Sequence, residues 1–246
     1  MNLTPNTVKI CSLRTPVHAG WVVEAGADLF GLIFADARRR VSHQVAREIV
    51  DEARRLDSTG GLRATGVFAG QTVDEINRTA DSVGLDLVQI HASDVAPGQR
   101  LERPAIIVVR TRPDMTLETV MEQVGLVNAG GSAIAGIHVE GFKAGTLGGS
   151  GTLANWDLAR EIASAFPILL AGGLHPGNVE EAIRAVAPAG VDVSSGVETD
   201  GEKDRARIIA FTAAARRAMT APSFEGMNAG PFGESAQPIE CAQPLL

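Results

Sequence analysis

Eight short apolar runs punctuate the chain: VKIC (8–11), DLFGLIF (28–34), ATGVF (64–68), DLVQI (86–90), AIIVV (105–109), AIAGIHV (133–139), PILLA (167–171) and VDVSS (191–195). Runs this short, apolar on both faces, suit strands buried on both sides of a parallel sheet. Apolar residues at helical spacing fill the intervals at 42–56, 72–83, 116–127, 157–165, 177–186 and 203–217, with weaker patterns at 16–26 and 96–103. Such alternation predicts an α/β chain with one (β/α)8 TIM barrel over residues 1–220. An open doubly wound sheet is the rival, but it carries a glycine-rich turn after its first strand. Here that turn reads SLRT, without glycine.

Composition agrees with a strand-built core. Aromatic residues make up 4% of the 246 and tyrosine is absent, so Ile, Leu, Val and Ala must fill the interior. A net charge of −7, with both signs mixed along the chain, disfavours nucleic acid or an anionic membrane as partner. The opening MNLTPNTVKI has no apolar signal core, and no apolar run is long enough to span a bilayer, so a cytoplasmic location is expected. Cys11 and Cys241 are too few for a disulfide framework, and no Cys/His spacing suggests a metal. Segment 221–246 is rich in Pro, Gly and Ser, shows neither period and reads as a flexible tail.

A barrel places its chemistry at the C-terminal ends of its strands. The residues to inspect there are Cys11, 36–40, 69–71, His91, Arg110, His138 with Glu140, Gly172-Gly173 and 194–198. Strands seven and eight end in AGG and SSG, and GTLGGSGT (145–152) follows strand six. Glycine lets backbone N–H groups approach an anion closely, so three such ends on consecutive units predict a phosphate site. Arg38-Arg39-Arg40 is either a solvated basic turn or a guanidinium placed to pair a carboxylate, and spacing leaves both open. Cys11 is either a small buried hydrophobe or a thiolate base. His138 and Glu140 share parity on strand six, so either supplies an acid opposite Cys11.

Together these segments resemble the phosphoribosylanthranilate isomerase family of tryptophan biosynthesis. The family's opening K-I-C-G is similar to Lys9-Ile10-Cys11-Ser12. GADLFGLIFADARRRVS (26–42), VGLDLVQIHASD (83–94), GGSGTLANW (148–156), LLAGGLHPGNVEEAIRAV (169–186) and VDVSSGVE (191–198) follow in the family's order, so the likeness covers about residues 8–217. It implies an isomerase that needs no cofactor. The reaction would be an Amadori rearrangement of N-(5-phosphoribosyl)anthranilate to 1-(2-carboxyphenylamino)-1-deoxyribulose 5-phosphate, by general acid and base. The partner implied is a small phosphoribosyl arylamine, handled by a monomer or homodimer.

By the same resemblance Cys11 is the base. The family's acid, an Asp ending strand six, falls on Glu140, with His138 as second choice. Arg39 would hold the substrate carboxylate, with Arg38 and Arg40 as register alternatives, and His91 ends the strand-four motif. Backbone N–H groups near Gly149, Ser150, Gly151, Gly172, Gly173, Ser195 and Gly196 would bind phosphate, and Asp192 would face the substrate hydroxyls. The chain departs from the pattern at Ser12 for Gly, at Ala92 for Gly, at LANW (153–156) for T-F-D-W and at LHP (174–176) for L-N-P. A lysine expected after strand five has only Arg110 as its counterpart. The phosphate end is kept better than the acid and aryl end. That contrast leaves two alternatives: the same isomerisation on a modified arylamine phosphoriboside, or a phosphosugar-binding relative without catalysis.

Overall fold

A computed structural model describes residues 3–112, 114–141 and 154–221. All eight expected strands form: β1 (Thr7–Ile10), β2 (Leu29–Ile33), β3 (Arg63–Val67), β4 (Leu87–Ile90), β5 (Ala105–Thr111), β6 (Ile134–Gly141), β7 (Ile168–Leu170) and β8 (Gly190–Val193). Each pairs with the next in parallel, and β1 closes on β8 with Lys9 beside Asp192 and Ile10 beside Val193.

Seven α-helices surround the barrel among the described residues: α1 (Pro16–Ala25), α2 (His43–Leu56), α3 (Val73–Val83), α4 (Leu117–Ala129), α5 (Trp156–Ala165), α6 (Val179–Val186) and α7 (Arg205–Met219). Their starts are written locally. Ser42, Thr116, Asn155 and Asp204 accept backbone N–H groups of the first turn, and Thr72 with Glu75 forms a reciprocal capping box. No helix among the described residues is long and apolar enough to cross a membrane.

The expected helix over 96–103 does not form. A 3-10 turn at Ala92–Asp94 is followed by irregular backbone. Pro97-Gly98 breaks the pattern, Gly98 sits at φ 80°, and Pro104 forbids helix at the residue before it. One element was not foreseen. Glu198–Thr199 (β9) and Glu202–Lys203 (β10) form a hairpin across Asp200-Gly201, at φ 53° and 81°. Asp-Gly with both residues at positive φ is the preferred two-residue hairpin turn. The expected tail lies outside the described residues from 222 onward.

Two apolar layers set the height of the site. The larger core packs Phe30, Ile90, Ile107, Val139 and Val191 outward against helices. A smaller cluster of Leu29, Leu87, Ile106 and Leu169, with Leu3 beside it, plugs the inside of the barrel. Strand alternation then places Lys9, Gln89, His138 and Asp192 one step nearer the C-terminal mouth, all buried. The inward-facing side chains therefore change from apolar to polar along the barrel axis.

Candidate active site

The mouth opens into a cleft of about 250 Å³, lined among others by Cys11, Arg39, His91, His138, Glu140, Gly172, Gly173, Asp192, Ser195 and Gly196. Ten of the candidate residues singled out from the sequence thus meet in one place. Cys11 follows directly on β1 and is 6% exposed. Gly31 makes space for it, since a Cβ there would lie 2.6 Å from the Cys11 sulfur.

Beneath the thiol lies a cluster of Lys9, Asp192 and His138, of which sequence reading did not single out Lys9. Lys9 shares parity with Cys11 and is fully buried. Its Nζ donates to Asp192 Oδ2 at 2.9 Å, and His138 Nε2 lies 2.9 Å from the same oxygen. Burial alone would raise the Asp192 pKa, but the Lys9 ammonium and the His138 hydrogen bond outweigh it and hold the carboxyl at about 2. Burial likewise acts to lower the Lys9 pKa, and the Asp192 charge and Cys11 sulfur carry it above its ordinary value. An ionised carboxylate only accepts hydrogen bonds, so the proton between Asp192 and His138 sits on Nε2. His138 Nδ1, Asp192 Oδ1 and Gln89 Oε1 are buried polar atoms without a protein partner, and all three residues line the cleft. Orphaned polar atoms are rare in native interiors, and here they converge on a ligand-sized space.

Glu140 is placed differently. It accepts from Arg110 Nε at 2.9 Å, and Arg110 Nη2 lies 3.4 Å from His91 Nε2. Burial first and the Arg110 charge second push the His91 pKa below its usual value, so the imidazole is neutral at pH 7.

Arg39 makes a bidentate pair with Glu198, Nε to Oε1 at 2.9 Å and Nη2 to Oε2 at 2.6 Å. Lys203, the cross-strand neighbour of Glu198 in the hairpin, donates to the same carboxylate at 3.0 Å. Burial opposes ionisation of Glu198, and Arg39 with Lys203 overcomes it, holding the pKa below the carboxylate norm. Two cations on one carboxylate leave this rim a net positive charge. Asp-Gly between Thr199 and Glu202 was the sequence signal that would have located this pair. Arg40 requires a correction. It pairs with Ile33 in an isolated bridge and its side chain lies in a separate outer groove with His43 and Arg78. The Arg40 N–H donates to the Ala37 carbonyl at 2.9 Å, closing a turn over Arg38 and Arg39, and the chain leaves that turn beside β2 with Arg40 outside the cleft.

The ends of β7 and β8 form the opposite wall. Gly172 and Gly173 sit at φ 88° and 64°, where L side chains are strained. A Cβ on Gly196 would lie 1.8 Å from the Leu174 carbonyl oxygen, so the two loops touch through that glycine. The N–H groups of Gly172, Gly173, Ser195 and Gly196 donate to no backbone carbonyl in the described turns and loops. Gly149, Ser150 and Gly151 lie outside the described residues.

This arrangement defines a (β/α)8-barrel protein whose mouth joins a glycine-lined backbone wall to a buried thiol, imidazole and carboxylate. A family model for N-(5'-phosphoribosyl)anthranilate (PRA) isomerase matches residues 8–214. The N-(5'-phosphoribosyl)anthranilate isomerase of Roseiflexus castenholzii is 39% identical over 213 residues, spanning 86% of this chain and 98% of that one. That of Roseiflexus sp. strain RS-1 is 40% identical over the same shares. Among solved structures, phosphoribosyl anthranilate isomerase from Thermotoga maritima superposes with a TM-score of 0.68 at 30% identity, covering 86% of this chain and 98% of that one. A second, solved in complex with reduced 1-(o-carboxyphenylamino)-1-deoxyribulose 5-phosphate, gives 0.63 at 29% identity over the same shares. The chain belongs to the phosphoribosylanthranilate isomerase family.

Proposed function

We propose that this chain isomerises N-(5-phosphoribosyl)anthranilate to 1-(2-carboxyphenylamino)-1-deoxyribulose 5-phosphate, with Cys11 as base and His138 as acid. The observation that carries this reading is the convergence of the Cys11 thiol, a carboxylate-held imidazole and the glycine cradle on one cleft. The phosphate would lie against the N–H groups of Gly172, Gly173, Ser195 and Gly196, which donate to no carbonyl among the described residues, and this fixes the sugar end. Asp192 Oδ1, unpartnered and buried, would accept a ribose hydroxyl.

Ring opening requires a proton on the furanose oxygen. His138 has Nε2 committed to the Asp192 carboxylate and Nδ1 unpartnered. A carboxylate on one nitrogen orients an imidazole and stabilises its imidazolium, leaving the other nitrogen to deliver the proton. Glu140 is the weaker candidate, because its carboxylate already accepts from Arg110 and a donor role would disrupt that pair. Opening gives a Schiff base whose C2 proton is acidic. Cys11 removes it, and the resulting enolamine tautomerises to the ketone. Net oxidation at C2 matches reduction at C1, so no external redox agent enters. The substrate carboxylate would meet the positive rim of Arg39 and Lys203, where Arg39 Nη1 remains beside the two nitrogens that face Glu198.

The reading is tested by forming the substrate in place from anthranilate and phosphoribosyl pyrophosphate with a purified transferase, and following fluorescence as this protein is added. Cys11→Ala and His138→Gln are each expected to lower kcat by at least about a hundredfold, the usual scale of acid–base catalysis. Glu140→Gln is expected to lower it by less than about tenfold, since it retains much of the hydrogen bond to Arg110. Full activity in His138→Gln with loss in Glu140→Gln would transfer the acid role to Glu140. An inactive wild type that still binds a reduced product analogue would point to a different aryl amine or to a binding role.

A further inference from the structure

We propose that Ser12 and Ser194 form a hydroxyl relay that holds the Cys11 sulfur ionised, which makes Ser12 a positioning residue for the base. The inference rests on the role given to Cys11 above. Its starting point is a conflict at Ser12. The backbone there sits at φ 67°, a left-handed conformation that costs an L side chain and that glycine adopts freely. The family motif has glycine at this position, yet this chain carries serine and buries it to 4% exposure. Strain retained beside reacting groups calls for a compensating role.

The hydroxyl geometry supplies one. Ser12 Oγ donates to Cys11 Sγ at 3.7 Å, and Ser194 Oγ donates to Ser12 Oγ at 2.9 Å. Both hydroxyl protons therefore point along one chain that ends on the sulfur. The far end is anchored, since the Ser194 carbonyl accepts from Lys203 Nζ at 2.8 Å. On the other side the sulfur occupies the space that the missing side chain of Gly31 leaves open. A hydrogen bond from a hydroxyl strengthens when its acceptor becomes charged, and a preceding hydroxyl polarises it further. The relay thus favours thiolate over thiol. Lys9 from β1 and Lys203 from β10 act on the same sulfur by charge, and Asp192 from β8 and His138 from β6 share its cleft. Among these, only the serines can be altered without changing a formal charge.

The test uses the full chain carrying Cys241→Ser, which leaves Cys11 as its one thiol. Iodoacetamide alkylation and the acid limb of kcat/KM are measured against pH for Ser12→Gly, Ser12→Ala and Ser194→Ala. Ser12→Gly is expected to raise Tm, because the strain is relieved, while alkylation at neutral pH slows. The acid limb should move upward by about one pH unit, a tenfold change in an ionisation constant. Ser12→Ala should show the same kinetic shift without the gain in Tm, and Ser194→Ala a smaller shift in the same direction. Unchanged alkylation and an unmoved limb in both Ser12 variants would reduce the residue to a turn and overturn the relay. If Cys11→Ala retains turnover, the base assignment fails separately, and the alkylation rates still decide for or against the relay.

Discussion

The two walls of the cleft are made of different material. The β7–β8 wall presents backbone: Gly172 and Gly173 at positive φ, and Gly196 pressed on the Leu174 carbonyl. The other wall presents paired side chains, to which β8 itself contributes Asp192: Lys9 and His138 on Asp192, Arg110 on Glu140, Arg39 and Lys203 on Glu198. A backbone cradle demands glycine or a small residue at a few positions and tolerates little else. A side-chain cluster can exchange members as long as charge, reach and hydrogen bonds still balance. The glycines of the first wall accordingly stay with the family pattern, with His175 of LHP as the change beside them, while the other wall carries Glu140, Arg110 and Ser12 at its points of departure.

If the walls are separable, damage to each should read out differently. The largest effect is expected from Lys9→Met. It leaves the buried Asp192 carboxylate without its ammonium partner and with only the His138 Nε2 hydrogen bond, and losing one member of a buried pair costs about 3–5 kcal/mol. Urea unfolding should show this, and adding Asp192→Asn should restore most of it, because the cluster then holds no unpaired buried charge. A Lys9→Met protein as stable as wild type would mean that the cluster is not a folding element.

Gly196→Ala should follow, at about 2–3 kcal/mol, since overpacking a closed contact typically costs this much. A Cβ 1.8 Å from a carbonyl oxygen must push the β7 and β8 loops apart. That displacement should raise KM through the phosphate and leave the pH dependence of kcat in place. A shifted pH profile in this variant would show that the walls communicate.

Charge linkage gives the next step down. The Asp192 pKa is lowered from 3.8 to about 2 by folding, so its contribution is complete above the unfolded value and is lost as pH falls through the folded one. Its size is about 2 kcal/mol. Stability of wild type should therefore fall more steeply between pH 4 and 2 than that of Asp192→Asn. Parallel curves for the two proteins would remove Asp192 as the acid-sensitive group.

The same contrast explains what could be read from the sequence. Strands, helices and the glycine ends follow from periodicity and from the conformational needs of single residues, and all eight strands and the AGG and SSG ends were visible that way. Cys11, His91, His138 and Glu140 could be placed at the mouth by counting to strand ends, whereas the choice of Arg39 and Asp192 came from the family resemblance. Pairing could not be counted. Lys9 reads as one polar residue in an apolar run, and its value comes from Asp192, 183 residues away. Arg39 reads as a free cation until the hairpin brings Glu198 to it across 159 residues. The register within Arg38-Arg39-Arg40 depended on where β2 ends, and the Ile33–Arg40 bridge takes Arg40 out of the cleft while Arg38 and Arg39 both line it. The segment 96–103 failed for the converse reason: its apolar spacing was weighed above Pro97-Gly98.

The smallest effect is expected at Arg38, and it sharpens the account of the rim. Arg38 is 68% exposed and approaches Glu198 only to 4.0 Å. An exposed ion pair at that distance contributes little to folding, because water screens it and the side chain loses entropy to hold it. Arg38→Ala should leave Tm unchanged. It still removes a positive charge from the lip of the cleft, where the substrate proposed above would arrive with its phosphate and carboxylate. Association should slow by a factor of about two to five at low ionic strength, and the difference should vanish as salt shortens the Debye length. Stopped-flow binding of a reduced product analogue across a salt series measures this directly. A salt-independent loss would show instead that Arg38 contacts the ligand, placing a second guanidinium beside Arg39 in the cleft itself.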